Sequence, residues 1–307
     1  MSSNLSGNNY DQFTGMSAAF SLEDCRPIPV KKTEVKTSKP TKKQKKWIII
    51  GLVLFLLLFT PWRINVLLLG IDPTADHSAM GRSDTMILTS IPGVVPVVHM
   101  LSIPRDLYVD IPGYGQNRIN TAHYFAEIDK PGSGPKAAAQ TVAQDFHVSE
   151  PYTVRIRVEG FKDVVKAMGG VDITLPTDMA GLTAGFHHLN SPEALTFVRN
   201  RTGSDDIFRQ QRQQLFLKSA FVQMLKPKNW WRIPKVTYAI VKSVDSNVPF
   251  FYWPRIVFSV FCSSIGGFHM QTFDRNTMIT SWVTEGGGQV LLPNWEAINP
   301  VIERYFK

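Results

Sequence analysis

Hydrophobic residues along the chain form short apolar runs that alternate with stretches of helical spacing. The runs are rich in Ile, Leu and Val and are bounded by Gly, Pro or Asp, which is typical of buried β-strands. These predicted strands cover residues 64–72, 84–91, 97–103, 153–159 and 171–175. Helical spacing predicts helices over residues 134–146, 160–170 and 207–225. The alternation predicts an α/β domain in which a mixed central sheet carries helices on both faces.

The C-terminal third is less regular. The segment KNWWRIPK and the aromatic cluster FFYWP (250–254) interrupt the pattern. Residues 289–293 and 294–306 predict a last strand and helix that pack on the same domain. The sequence therefore predicts one domain over residues 63–307, with its less regular part at 226–307.

The N-terminal 62 residues have a different character. Residues 1–46 are polar and lysine-rich, which predicts a disordered, basic, cytoplasmic tail. Residues 47–62 carry no charge and are flanked by Trp47 and Trp62. The alternatives for this run are a buried core helix and a cleaved signal peptide. A soluble helix has a polar face and a cleaved signal has no 46-residue leader, so we predict a retained transmembrane signal anchor. The domain that follows is then extracytoplasmic, on a single-pass protein of the cell membrane.

Composition narrows the class of protein. The chain has 307 residues, of which 44% are hydrophobic and 19% charged, which excludes a wholly disordered or fibrous protein. The net charge of +8 divides into +5 for residues 1–46 and +3 for the remainder, so we predict no nucleic-acid partner. Two cysteines exclude a disulfide scaffold and a thiolate zinc site. Cys262 is predicted to be a small buried hydrophobe.

Acidic residues at neighbouring strand ends are the first candidates for chemistry. Asp72 ends the first predicted strand, Asp84 opens the second, and Arg105 follows the third in SIPRD. Ligands of open α/β sheets bind at the carboxyl ends of strands. Paired carboxylates suit Mg²⁺ shared with a substrate phosphate. The alternative is that such aspartates only cap turns.

Clustered arginines are the second candidates. In FVRNR, Arg199 and Arg201 would point to one side of an extended segment. On the following helix Arg209 and Gln213 stand four residues apart, with Arg212 alongside. Arginine forks match the oxygens of a diphosphate. The alternative is a solvated charged face.

Other motifs do not support a different chemistry. The sequence contains no HExxH, GxSxG, GxGxxG or Walker A motif, which argues against a zinc protease, an α/β-hydrolase and a nucleotide cofactor. KNWWRIPK suits either a membrane surface or ordinary packing.

Seven fragments in order resemble one protein family. They are LLLGID, GRSDTMIL, SIPRDLYV, INTAH, EGF followed by MGGVDITLP, ALTFVRNR, and the helix with Arg-x-x-Arg-Gln. Between Val66 and Leu225 the chain thus resembles the LytR-CpsA-Psr family. The resemblance implies an α/β/α fold and a membrane-anchored phosphotransferase. Such an enzyme moves a glycopolymer from a polyprenyl-pyrophosphate carrier to peptidoglycan, with the prenyl chain in an apolar channel.

The resemblance also implies roles for individual residues. Asp72 and Asp84 match positions associated with Mg²⁺, or Mn²⁺ in its place. The expected catalytic residues are Asp84, Arg105, Arg199 and Arg201. The expected pyrophosphate-binding residues are Arg82, Arg105, Arg118, Arg199, Arg201, Arg209, Arg212 and Gln213.

Some features depart from the family pattern. The segment between Leu175 and Ala194 is short, Phe208 stands where glycine is frequent, and Arg155 and Arg157 interrupt an otherwise apolar strand. Two rival functions stay open. One is a polyprenyl-pyrophosphate phosphatase or pyrophosphatase, and the other is a non-catalytic lipid- or glycan-binding regulator of the envelope.

Overall fold

The fold is built on strands and helices that follow one another from residue 64 to residue 305. The structure, a computed structural model, describes residues 62–72, 81–93, 97–200 and 206–307, together with single helical positions at 43, 45, 46, 48 and 51. The described strands are β1 (Ile64–Asp72), β2 (Arg82–Ile91), β3 (His99–Ser102), β4 (Tyr108–Ile111), β5 (Gly115–Arg118), β6 (Tyr152–Arg157), β7 (Val171–Leu175), β8 (Gly185–Leu189), β9 (Val244–Ser246), β10 (His269–Thr272), β11 (Ile279–Val283) and β12 (Gln289–Pro293). The helices from residue 62 onward are α1 (Thr121–Asp129), α2 (Gly134–Phe146), α3 (Val158–Met168), α4 (Ser191–Arg199), α5 (Asp206–Leu225), α6 (Ile233–Ser243), α7 (Trp253–Gly266) and α8 (Trp295–Tyr305).

Six strands form the central sheet in the order β10-β3-β2-β1-β6-β9. Strand β1 pairs antiparallel with β2 and parallel with β6, so the sheet is mixed as predicted. Strands β3 and β10 run in the same direction as β1 and β6, because β2 separates β3 from β1 by two antiparallel pairings. The carboxyl ends of these four strands therefore share one edge, hereafter the upper edge. Their first residues share the opposite, lower edge.

Helices cover both faces of the sheet, and the alternation of side chains along β1 shows why. Leu67 and Leu69 are buried in one core with Phe146 of α2 and residues of α1 and α8. Val66 is buried on the opposite face, where Val260 of α7 and residues of α5 pack. Because consecutive side chains of a strand point to opposite faces, an apolar strand needs cover on both sides. A further cluster on the α5 face joins α3, α4 and α6.

Local signals explain where several elements begin and end. Helix α3 ends at Gly169, whose φ of 76° is the left-handed conformation that favours glycine at a helix C-terminus. Helix α4 begins with a capping box, in which the Asn190 side chain accepts from the backbone N–H of Glu193 and the Glu193 carboxylate accepts from that of Asn190. The sequence prediction missed this helix.

Residues 171–175 form a strand as predicted, but β7 pairs only with β8 in a hairpin separate from the central sheet. The predicted last strand and helix are confirmed as β12 and α8. Helix α8 packs Ile298 and Ile302 into the same core as the buried side chains of α2. Cys262, predicted to be buried, is half-buried and carries a free thiol.

The N-terminal predictions fall mostly outside the described residues. The predicted tail is described only at positions 43, 45 and 46, and the predicted anchor only at 48, 51 and 62. Across the part of the chain that the structure describes, no helix combines the length and hydrophobicity that crossing a membrane requires. By internal contacts the chain divides into Met1–Ile48 and Ile49–Lys307, and every element named above lies in the second unit.

Candidate active site

A β-bulge at the upper edge sets the direction of Asp84. Gly70 faces Thr85 and Ile71 faces Ser83, so Asp84 is the extra residue that β2 inserts between two pairs. A bulge redirects the side chain that it inserts. Gly70 makes the close pairing possible, because a Cβ there would lie 2.9 Å from Cβ of Thr85. The glycine of LLLGID thus helps to place the aspartate of GRSD.

Arg105 joins Asp84 in an ion pair at this edge. Its Nη1 lies 3.0 Å from Oδ1 of Asp84, and its Nε lies 3.2 Å from Oδ2 of Asp106. Arg118 approaches the other oxygen of Asp106 at 3.6 Å. These groups form a row of alternating charges that is only partly exposed. The row fixes the guanidinium of Arg105 between two carboxylates.

A cavity of about 530 Å³ opens beside Asp84, between the sheet and helices α3 to α6. One side of it follows α5 from Arg209 to Met224, which is about 22 Å at the helical rise of 1.5 Å per residue. Most of its wall is apolar, with Ile87, Phe216 and Phe221 among the lining side chains. Such a volume is ordinary for a small-molecule site. The length and the apolar wall suit an extended hydrocarbon chain.

Polar side chains line this cavity at the upper-edge end. Arg209 and Gln213 come from the first turns of α5, Arg199 from the last residue of α4, and Arg157 from the end of β6. With Asp84, the lining carries three cationic side chains and one anionic one, a formal balance of 3 − 1 = +2. Arg209 is only 4% exposed. A buried cation in a largely apolar wall attracts an anion strongly, because little water screens it.

The cavity and its polar end bring together several of the predicted residues. Asp84, Arg199, Arg209 and Gln213 all line it, and Arg105 reaches it through Asp84. The shared face of Arg209 and Gln213 was predicted from their spacing of four, and both side chains do line one cavity.

Three predicted residues lie apart from the cavity lining. Arg82, the first residue of β2, is exposed, and its guanidinium carbon lies 5.9 Å from the ring centroid of Tyr124. Arg118 donates to the Gln289 carbonyl oxygen at 2.8 Å. Arg212 is 2% exposed, and its burial lowers the pKa of the guanidinium.

Arg212 has a structural contact that spacing did not reveal. Its Nη2 donates to the carbonyl oxygen of Asn200, the residue that follows α4. Gln213 donates to the carbonyl of Val198 at 3.3 Å. Both contacts tie the first turns of α5 to the end of α4, which carries Arg199.

The prediction that Arg199 lies on an extended segment is wrong. Arg199 is the last residue of α4, because the capping box at Asn190 starts a helix that runs through TFVR. Arg201 lies outside the described residues. Asp72 is described only by its backbone, which ends β1 opposite Arg82.

Sequence reasoning missed the polar network behind the bulge. Arg155 is buried, and its guanidinium contacts Glu127 at 3.2 Å and Asp245 at 2.6 Å. Its Nη1 also lies 3.3 Å from Nε2 of His123, whose Nδ1 lies 2.9 Å from the carbonyl oxygen of Gly81. An arginine only donates, so Nε2 accepts and Nδ1–H donates. The histidine of INTAH thereby fixes the backbone that enters β2.

The electrostatics of this network keep His123 neutral. Burial, followed by the neighbouring charge of Arg155, lowers the pKa of His123 to about 4. Burial alone would raise the pKa of Glu127, but two backbone N–H donors and Arg155 together lower it. The departure of Arg155 from an apolar strand therefore has a structural reason.

Asp84 is the one predicted metal ligand whose side chain the structure describes. Within the described residues no three His, Cys, Asp or Glu side chains cluster as a metal site would require. Mg²⁺ commonly binds through one or two carboxylates and completes its shell with water and substrate phosphate. Asp84 is 27% exposed, and its carboxylate is an oxygen ligand of the kind that Mg²⁺ takes.

The chain is similar to proteins that are named as peptidoglycan teichoic acid transferases. The chain is 39% identical over 165 residues to the polyisoprenyl-teichoic acid–peptidoglycan teichoic acid transferase TagU of Oceanobacillus iheyensis, covering 51% of this chain and 50% of the relative. It is 32% identical over 170 residues to TagT of Bacillus subtilis, which carries the same transferase name, covering 50% and 51%. The chain thus spans about half the length of the curated relatives that it matches.

A solved structure described as TagT bound to LIIa-WTA has the same fold. It superposes with a TM-score of 0.60 at 25% identity and covers 79% of this chain and 89% of that one. The LytR_cpsA_psr family model matches residues 28–267, which extends beyond both ends of the region Val66–Leu225 that contains the seven fragments. The chain therefore belongs to the LytR_cpsA_psr family.

Proposed function

We propose that the chain is a phosphotransferase that moves a glycopolymer from a polyprenyl-pyrophosphate carrier to peptidoglycan. The observation that carries this proposal is the cavity itself, which is apolar for about 22 Å along α5 and cationic at its upper-edge end. That polarity matches a molecule with a long hydrocarbon tail and a diphosphate head. The names of the TagU and TagT relatives agree with it.

Binding of the carrier divides between the two ends of the cavity. The prenyl chain lies against the apolar wall, where burial of its surface favours association. The guanidinium groups of Arg157, Arg199 and Arg209 bind oxygens of the diphosphate, and planar forks suit bidentate contacts. Gln213 adds an uncharged donor. The head group is thereby held beside Asp84 and Arg105.

The reaction replaces one phosphorus–oxygen bond with another. A peptidoglycan hydroxyl attacks the phosphorus attached to the glycan, and the bond to the bridging oxygen of the diphosphate breaks. The products are a phosphodiester between glycan and peptidoglycan and a polyprenyl monophosphate, which takes up the proton that the hydroxyl loses. The arginines stabilise the charge that gathers on the leaving phosphate.

Asp84, with Asp72 at the neighbouring strand end, would hold Mg²⁺ or Mn²⁺ at the diphosphate. The cation would neutralise charge on the phosphoryl oxygens. Arg105 holds the Asp84 carboxylate in position through their ion pair. Arg201, close to Arg199 in sequence, is proposed as a further phosphate ligand.

The proposed location is the outer side of the cell membrane. Residues 47–62 would anchor the chain with residues 1–46 in the cytoplasm, and the domain from residue 63 would work on the wall. The uncharged run and its flanking tryptophans support this topology.

Product analysis tests the function. Full-length protein in vesicles receives a labelled polyprenyl-diphosphate glycan, Mg²⁺ and peptidoglycan. We expect the label to enter the peptidoglycan through a phosphodiester, together with formation of polyprenyl monophosphate. Asp84→Asn should lower the rate by about 100-fold or more, whereas Asn at the exposed Asp110 should not. Water-soluble label formed equally with and without peptidoglycan would instead identify a hydrolase. Lipid binding with no turnover would identify a non-catalytic binder.

A further inference from the structure

Helix α7 has its apolar side on the outside. The side chains that repeat at every fourth position, Trp253, Val257, Phe261 and Ile265, are 40%, 55%, 47% and 77% exposed. Residues at this spacing form one stripe along a helix. The side that faces the protein is partly polar, with a buried arginine and two buried serines, Arg255, Ser259 and Ser263. A helix that packs in water has the opposite arrangement.

The helix lies across the lower edge of the sheet. Tyr252, just before α7, packs its ring 5.6 Å from that of Tyr152, the first residue of β6. Further along, the Ser263 hydroxyl accepts from the backbone N–H of Val98, which directly precedes β3. Strand β1 begins at this same edge, two residues after the exposed Trp62. The stripe therefore lies where the chain arrives from the uncharged run 47–62.

Basic and aromatic residues continue this surface. Helix α5 runs from the upper edge to the lower one, since its last residues pack with Ile64 and Ile91. The segment that follows exposes Trp230 and Trp231. Residues 226–242 contain five Lys or Arg and no Asp or Glu, and residues 246–273 contain no acidic residue. The lower edge thus combines exposed aromatics with an excess of positive charge.

We infer that this lower-edge surface, formed by the α7 stripe and residues 226–235, docks on the anionic lipid interface of the membrane. Tryptophan and the other large apolar side chains suit the boundary between head groups and acyl chains, and lysines there attract anionic lipid. The inference rests on the proposed membrane location of the domain. Docking turns the upper edge and its arginines away from the bilayer, toward the wall.

Docking also orients the cavity. Its apolar wall along α5 continues from Arg209 at the upper edge to Met224 near the lower edge. A prenyl chain longer than the cavity would then leave it on the membrane side. Docking at the lower edge thus lets the end of the prenyl tail remain in the bilayer while the diphosphate lies at Asp84.

Depth measurements on the full-length chain test the docking. Both native cysteines are replaced (Cys25→Ser, Cys262→Ser), and a single environment-sensitive fluorophore is attached through Val257→Cys or Ile265→Cys. The control is Ile128→Cys, an exposed position on α1 on the opposite face of the sheet. Each protein is placed at one chain per nanodisc containing phosphatidylglycerol, with doxyl-labelled lipid or aqueous iodide as quencher.

We expect doxyl lipid to quench the labels at 257 and 265 and iodide to leave them bright, with the reverse at 128. Quenching by iodide at the stripe would overturn the inference, because the surface would face water. Protection from both quenchers would overturn it too, since another part of the chain would then cover the stripe. If only a second copy of the chain covered the stripe, iodide would quench these labels, because each nanodisc holds one chain.

A functional comparison separates this inference from the proposed activity. In the triple variant Val257→Gln, Phe261→Gln, Ile265→Gln, transfer from a long-chain carrier in vesicles should fall by about tenfold, because the polar stripe no longer inserts. Transfer from a short-chain carrier in detergent should stay unchanged, as should the melting temperature. Equal rates for the triple variant and wild type in vesicles would refute the docking role. If the wild-type protein showed no transfer, the proposed activity would be refuted, but the quenching experiment would still test the docking.

Discussion

Replacement of Gly70 by alanine tests how the bulge positions Asp84. The added Cβ would lie 2.9 Å from Cβ of Thr85 and 3.2 Å from its Oγ1. Carbon atoms in favourable contact are ~3.5–4.0 Å apart, so the two strands have to separate by roughly 0.5–1 Å. The obstacle is a Cβ on the paired strand, and no side-chain rotation relieves it. The movement occurs one residue from Asp84.

The expected size of the effect follows from this displacement. Overpacking of this kind destabilises a protein by about 1–3 kcal/mol. For a chain of this size a loss of about 2 kcal/mol lowers the melting temperature by roughly 4–8 °C. A shift of about 1 Å at a catalytic group can lower the rate about 100-fold. We therefore expect Gly70→Ala to stay folded and to lose between ten- and a hundredfold in transfer rate.

Transfer of labelled glycan and thermal unfolding are measured on the same preparations. The matched control is Gly286→Ala, since a Cβ there meets nothing within 4 Å. The double variant Gly70→Ala, Thr85→Gly removes the colliding atom and should recover part of the rate. A Gly70→Ala protein with wild-type rate and melting temperature would refute the idea that the tight pairing positions Asp84.

Three further outcomes are expected. Arg209→Lys replaces a planar guanidinium by a point charge, so the binding free energy for a polyprenyl diphosphate should weaken by ~1.5–3 kcal/mol, about ten- to hundredfold in affinity. The loss should be smaller for the monophosphate. Equal losses for both ligands in a binding titration would contradict this prediction. Ala220→Trp fills the middle of the cavity and should weaken binding of long-chain carriers more than short-chain ones, whereas Trp at the exposed Gln211 should change neither affinity. His123 stays neutral in the folded protein down to about pH 4, because burial lowers its pKa to about 4. Between pH 6.5 and pH 4 the imidazole is therefore protonated only in the unfolded state. The free energy of unfolding should fall by up to about 3 kcal/mol over this range. Denaturant unfolding at several pH values should show a shallower decline for His123→Gln and an unchanged one for His187→Gln; identical pH dependence in all three proteins would refute the role of the buried imidazole.

Local spacing predicted much of the fold and part of the site. Strands β1 and β6, helices α2, α3 and α5, and the meeting of Asp84 with Arg105 follow from apolar runs and from the rule that strand ends share an edge. The common face of Arg209 and Gln213 follows from helical geometry. The bulge does not, because it depends on the register between two strands. The Asn190–Glu193 capping box was readable in the sequence, and weighing it would have placed Arg199 on a helix.

Other features depend on contacts between distant parts of the chain. Arg155 is balanced by Glu127 and Asp245, which lie 28 and 90 residues away along the sequence. No periodicity reveals such partners. The apolar stripe of α7 has helical spacing, but its exposure depends on which side packs against the lower edge. The burial of Arg212 likewise follows from how α5 docks against α4.

Native mass spectrometry of the full-length chain with a polyprenyl diphosphate shows where the lipid binds. In the proposed complex the tail lies in the cavity along α5 and the diphosphate lies at its cationic end. We expect one lipid per wild-type chain, with binding weakened by Ala220→Trp in the apolar part and by Arg209→Lys at the polar end. Equal lipid occupancy in all three proteins would contradict this arrangement.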